Sequence, residues 1–188
     1  DIAQRSNGEI WIANNNYGVI VKPLGKPAYQ ITHEKHPSII QDNFVNTLFE
    51  SKDKVMWIGQ RNGLSIVTPD NQGHRITMKE GKKNLTLCDI RHISQDKQGN
   101  IWLATDNEGI IRISGNARNK KTLKFKQYNP VHHNFTIDDA TACLEDSRGR
   151  LWAISNSGGL FLYNKVEDRF EPKNHEYYLP GDRVLTIK

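Results

Sequence analysis

The sequence predicts an all-β chain assembled from a fourfold repeat, and three observations carry that prediction. Tryptophan occurs four times in 188 residues, at Trp11, Trp57, Trp102 and Trp152, at intervals of 46, 45 and 50 residues. A period of that size marks a solenoid or a propeller. Each Trp lies in a short apolar run between two clusters rich in Gly, Asn, Asp and Ser, as in Ser94–Ile113, SQDKQGNIWLATDNEGIIRI; this is the pattern of strands joined by tight turns. No segment sustains a 3.6-residue apolar period, so helix content is expected to be low.

Repetition assigns roles by position. Nine residues before each Trp stand Ile2, Leu48, Ile93 and Cys143, and one before it stand Ile10, Met56, Ile101 and Leu151; both are expected core positions. Gly18, Gly63, Gly109 and Gly159 follow each Trp by six or seven residues and precede an apolar residue, as expected where a tight turn leads into a buried strand. Gly8, Gly99 and Gly149 serve the earlier turn.

Each repeat reads as four extended pieces, which in the second are Phe44–Glu50, Val55–Gly59, Leu64–Val67 and His74–Met78. The fourth pieces are polar, and Leu123-Lys124-Phe125-Lys126 alternates apolar residues with lysine, a protection suited to an exposed edge. Four-stranded antiparallel units with an apolar inner half and a charged outer edge are β-propeller blades. The expected blades are 1–36, 37–82, 83–130 and 131–178, with 179–188 as the first strand of a further blade. Four blades with an orphan strand at Arg183–Ile187 are an open fragment of a larger propeller, so self-association through the open blade ends is expected.

Composition sets limits. The chain is 36% hydrophobic with a mean hydropathy of -0.68, enough for one continuous core, and it has no apolar run that would span a bilayer. Its net charge of +5 comes from basic residues interspersed with acids, except near Lys79–Lys83 and Arg118–Lys126, so nucleic acid is not an expected partner. Asp1 falls inside an expected strand and no leader is seen, so the sequence reads as a piece of a longer chain. Cys143 takes the core position of Leu48 and Ile93, and Cys88 has no counterpart; two such cysteines make no disulfide framework.

The second repeat, VMWIGQRNGLSIV preceded by Phe44–Glu50, is similar to the two-component regulator propeller repeat, V-x-x-I-x-x-D-x-x-G-x-[LI]-W-[IL]-G-T-x-x-G-L. The resemblance recurs in all four repeats. It departs where Lys54 replaces a turn glycine and where Ala13 and Ala104 replace the small glycine after Trp. What the resemblance implies is the periplasmic sensor region of a membrane-anchored bacterial hybrid two-component receptor that recognises carbohydrate breakdown products. The histidine kinase and response regulator would then lie outside these residues.

Catalytic signatures are absent from the sequence: no H-E-x-x-H, G-x-S-x-G, P-loop, C-x-x-C or G-x-G-x-x-G occurs. No cofactor and no metal site is expected. His132-His133 with Asp138-Asp139 is the nearest approach to a metal cluster, but adjacent strand residues point apart. In an up-and-down blade the loops between second and third strands share a face with the interblade links. That rim is expected to hold Tyr17, Arg61, Asn107, Glu108 and Asn156, together with His132, His133 and Tyr177 from the links. Amides, a guanidinium and aromatic rings suit a polyhydroxyl ligand. The competing reading is that Asn, Asp and Ser stand there for turn geometry alone. The four Trp, at equivalent positions among apolar neighbours, are expected to be structural, each with its indole N–H bonded. An alternative function is a propeller glycoside hydrolase or polysaccharide lyase using rim acids among Asp106, Glu108, Asp138 and Asp139; a scaffold for protein partners is a third.

Overall fold

The computed structural model describes residues 1–128, 139–156 and 159–173. Blade 1 contains β1 (Ile2–Gln4), β2 (Ile10–Asn14), β3 (Gly18–Lys22) and β4 (Tyr29–Ile31). Blade 2 contains β5 (Val45–Glu50), β6 (Met56–Gln60), β7 (Gly63–Val67) and β8 (Gly73–Ile76). A two-stranded hairpin follows, β9 (Lys79–Glu80) and β10 (Lys83–Asn84). Blade 3 contains β11 (Asp89–Gln95), β12 (Ile101–Asp106), β13 (Gly109–Ser114) and β14 (Lys124–Tyr128), the last preceded by a single 3₁₀ turn at Lys120–Thr122. Blade 4 contains β15 (Ala140–Glu145), β16 (Leu151–Ser155), β17 (Leu160–Asn164) and β18 (Arg169–Pro172). In every blade the strands pair in chain order and antiparallel. The chain is therefore an array of β-propeller blades.

The turn between first and second strands is built identically four times. In blade 3, Asp96 N donates to Asn100 O (3.0 Å) and Gly99 N to Asp96 O (3.1 Å); Arg5/Glu9, Ser51/Val55 and Asp146/Arg150 repeat the first bond. Its tight residue needs positive φ, supplied by Gly8 (87°), Gly99 (91°) and Gly149 (76°). In blade 2 Lys54 adopts 68° and carries the strain that an L side chain meets there.

The tryptophans are tied to these turns. Trp57 Nε1 donates to Ser51 Oγ (3.1 Å), Trp102 Nε1 to Asp96 Oδ2 (2.8 Å) and Trp152 Nε1 to Asp146 Oδ2 (3.0 Å). Blade 1 has Arg5 at that position, so Trp11 Nε1 turns to Glu9 Oε2 (3.3 Å) while the Arg5 guanidinium lies 5.6 Å over its ring. The indole face meanwhile packs on the next blade. Trp11 joins Met56 and Ile58, Trp57 joins Ile101 and Leu103, and Trp102 joins Leu151 and Ala153, giving three apolar seams between consecutive blades.

A second repeated bond locks neighbouring blades. The last residue of a first strand accepts from the backbone N–H of the preceding blade's turn: Glu50 from Ser6 N (2.7 Å), Gln95 from Lys52 N (2.8 Å) and Glu145 from Lys97 N (2.7 Å).

Three features differ from the sequence reading. Ile2, expected in the core, is 67% exposed, because among the described residues no sheet packs on that side of blade 1, whereas Leu48, Ile93 and Cys143 at equivalent positions are buried. Gly159 is demanded by packing, since an added Cβ would meet Phe161 Cε2 at 2.4 Å. The basic patch Lys79–Lys83 folds as the extra hairpin, which straddles the expected 82/83 boundary. Arg183–Ile187 lies outside the described residues. Both cysteines are free and buried, and desolvation pushes the Cys88 thiol up to about 12.

The seam between blades 3 and 4 adds a polar knot. Trp102, Tyr128, Tyr163 and Phe170 pack as an aromatic cluster, with Trp102 and Tyr163 centroids 5.3 Å apart. Beside it Asp168, at φ 48°, accepts from Tyr128 Oη (2.7 Å), Tyr163 Oη, Lys126 Nζ and Arg112 Nη1 (3.3 Å). Burial disfavours its charge, but these donors win and hold the carboxyl well below the usual aspartate range.

Two outcomes are expected. Trp102→Ala should lower unfolding free energy by about 3 to 5 kcal/mol in denaturant titration, while Lys54→Gly should raise it by about 1 kcal/mol by releasing the left-handed strain. Because the Asp168 pKa is depressed by folding, its stabilisation is present above about pH 4 and is lost as pH falls through the folded value. Thermal melts of Asp168→Asn and the parent should accordingly differ at neutral pH and converge in acid.

Candidate functional site

The first strands lie against one another from blade to blade, β1 by β5, β5 by β11 and β11 by β15, which places them innermost, toward a propeller's axial channel. β5, β11 and β15 each carry a bulge at the same place, which the three-residue β1 lacks. Val45 pairs with Gln60 but Thr47 with Gly59, leaving Asn46 as the extra residue; the same shift leaves Arg91 extra between Ile90 and His92, and Thr141 between Ala140 and Ala142. A bulge re-aims the side chain it inserts. Three polar residues are thereby presented at one level near the channel mouth.

Asn46 and Arg91 belong to one connected network, whereas Thr141 Oγ1 donates within its own blade to Ile154 O (3.4 Å). Asn46 Nδ2 donates across the seam to Asp89 Oδ1 (2.6 Å) and Ile90 O (3.1 Å). Arg91 sits between two carboxylates, pairing with Asp106 Oδ2 through Nη2 and lying 3.5 Å from Asp89 Oδ2 through Nε. Burial pushes the Asp89 carboxyl above its usual value; Arg91 opposes this and Asp106 adds to it. Asp139 also acts electrostatically on Arg91 and accepts from Asn156 Nδ2 (2.9 Å). Behind the mouth, the buried Gln60 accepts from Gln41 N (2.6 Å) through Oε1 and donates through Nε2 to Ser65 Oγ (2.7 Å), fixing the link into β5.

The sequence-derived rim residues separate into groups. Arg61 lies on this face with its guanidinium 5.2 Å over Phe44, near enough to Asp89 to bear on its charge. Asn156 reaches the network through Asp139. Asn107 occupies the left-handed position of its turn at φ 73°, which is a backbone reason for an Asn there. Glu108 is engaged on the outer edge, with Lys83 Nζ of the hairpin at 2.8 Å and Gln127 Nε2 at 2.6 Å. Tyr17 is exposed at the tip of its loop in blade 1. His132, His133 and Tyr177 lie outside the described residues. Sequence reading missed Asn46, Asp89 and Arg91. The available signal was a polar residue recurring eleven before Trp, at Asn46, Arg91 and Thr141.

Residues 84–107, the link into blade 3 with its first two strands, match the two component regulator propeller family. That match covers one of the four repeats. Histidine kinase P4 of Formosa agariphila is 30% identical over 91 residues, covering 46% of this chain and 7% of that protein. Among solved structures, the extracellular domain of the hybrid two component system BT3049 from B. thetaiotaomicron superposes with a TM-score of 0.71 at 24% identity, over 97% of this chain and 24% of that one. Virginiamycin B lyase from Staphylococcus aureus gives 0.67 at 17% identity, over 91% of this chain and 53% of that one. These structural likenesses establish the propeller fold. The chain spans about 7% of the length of the histidine kinase that it matches.

Within the site, Arg91→Gln should raise the Asp89 pKa further, because a pulling cation is lost; chemical-shift titration of the Asp89 carboxyl checks this.

Proposed function

We propose that these blades are the extracytoplasmic, periplasmic ligand-sensing region of a membrane-anchored hybrid two-component receptor, that the ligand is a carbohydrate fragment, and that it binds at the channel mouth. The observation that carries the reading is the repeated bulge, which delivers Asn46, Arg91 and Thr141 from three successive blades to one level. Amide, guanidinium and hydroxyl groups side by side supply the paired donors and acceptors that sugar hydroxyls need. The repeat match and the kinase relative supply the signalling context. Asp89 and Asp106 are held by one guanidinium, an arrangement for positioning rather than for proton transfer, which favours a binding role for the blades, with the kinase outside these residues.

Calorimetric screening of neutral oligosaccharides tests the reading. A hit should lose about 10-fold or more in affinity on Asn46→Ala or Arg91→Gln, the loss of one or two hydrogen bonds to a charged or amide group. A hit whose affinity survives both changes would place the ligand elsewhere. Taken alone, the four blades leave Ile2 uncovered, and they are expected to self-associate through their open ends. Light scattering across a dilution series should show mass rising with concentration; a constant 21.5 kDa would refute this.

A further inference from the structure

We infer that the face opposite the channel mouth carries a second site, a cationic groove between blades 2 and 3 that takes an acidic saccharide. The inference does not depend on the channel-mouth reading. The groove encloses about 640 Å³, within the range of small-ligand sites. Its floor is apolar, with Trp57, Ile101 and Ile113, and Gln95, Gln98 and Asn116 stand along its walls. Lys52, Lys97 and Arg118 line it against a single carboxylate, Asp53. Each of the three cations hydrogen-bonds a backbone carbonyl: Lys52 Nζ to Asp96 O (3.2 Å), Lys97 Nζ to Ser147 O (2.8 Å) and Arg118 Nη2 to Asp53 O (2.9 Å). The Lys97 ammonium thereby leans toward blade 4, which leaves Lys52 and Arg118 as the cations of the groove itself.

The sibling grooves serve as internal controls. Between blades 1 and 2, Arg5 occupies the corresponding place and is neutralised by Glu50 (3.2 Å) and Glu9 (3.4 Å). Between blades 3 and 4 the groove shrinks to about 240 Å³, with Arg112 lying over the Trp102 ring and both acids, Asp96 and Glu145, present. Between blades 2 and 3 those two acidic positions are Ser51 and Gln95, and the Arg112 position is Ile66. Neither replacement costs a structural bond. Ser51 still receives the indole N–H and Gln95 still receives the blade 2 turn N–H. What changes is charge and room: two carboxylates, the Arg112 guanidinium and the Lys165 ammonium are gone and Asp53 stands at the position of Gln98, while Lys52 remains and Arg118 is added, so cations outnumber acids only between blades 2 and 3. A groove that keeps its scaffold hydrogen bonds and holds more cations than acids is suited to an anion. Its amides match the hydroxyls that accompany a carboxylate or sulfate on a sugar.

The test is calorimetric titration of the protein with trigalacturonate, a sulfated galactan trisaccharide and neutral galactotriose. At least one acidic probe should bind, about 10-fold or more tighter than the neutral one, with affinity falling as salt rises. The two acidic probes distinguish carboxylate from sulfate as the recognised group. Arg118→Gln should weaken binding about 10-fold. Gln95→Glu, whose carboxylate keeps an acceptor for Lys52 N, should weaken it at least as much; Ser51→Asp should do so too, with a lowered melting temperature because Ser51 Oγ donates to Asp53 Oδ1 (2.5 Å). Absence of binding by both acidic probes, equal affinity for the neutral one, or indifference to all three substitutions would overturn the inference. Loss on Arg91→Gln with none on Arg118→Gln would move the anion to the channel mouth and would also overturn it.

Discussion

The structure depends on one hydrogen bond, that from each tryptophan indole to the turn six residues before it. A buried indole must satisfy its N–H. By finding its acceptor on Ser51, Asp96 or Asp146, the ring is fixed to its own blade while its face is left to pack on the next. The turn is fixed in exchange, because the same residue closes the backbone of the hairpin. Once the turn is set, its next N–H is aimed at the neighbouring blade, where Glu50, Gln95 or Glu145 receives it. Order thus passes from side chain to hairpin to seam. Blade 1 shows how the constraint is met when the usual acceptor is missing: Arg5 covers the ring and Glu9 accepts the hydrogen bond.

Much of this was legible in the sequence, since a fourfold repeat multiplies weak signals. The Trp period, the turn glycines and the apolar residue before each Trp identify blades without any one strand being strong. The left-handed residue of the first turn was legible in three blades, and Lys54 shows that the backbone demand persists when the residue does not favour it. Ile2 was misread because equivalence assumes a neighbour on both sides, and among the described residues the first blade lacks one. The hairpin Lys79–Asn84 was invisible because strands of two residues leave no periodicity.

The candidate site was legible only in outline. The end of the blades proposed for the site followed from strand order, but turn residues and ligand-facing residues share the same composition, as Asn107 illustrates. Glu108 looked free in sequence and is committed to Lys83 and Gln127, a contact between segments that no local pattern reports. A bulge adds one residue to a strand and changes nothing in composition, so Asn46, Arg91 and Thr141 stand out only when the repeats are laid over one another.

The seam lock has a consequence for how such arrays grow. Its donor is a main-chain N–H, present whatever residue occupies the turn, and its acceptor is the Glu or Gln that ends the following blade's first strand. Recognition between neighbours is therefore directional and nearly independent of sequence. A duplicated blade brings its own acceptor and offers its own donor, so it can be inserted after any other without new complementarity. Blade number can change by whole units while each turn stays free to vary, and charge can drift in one groove without loosening the stack.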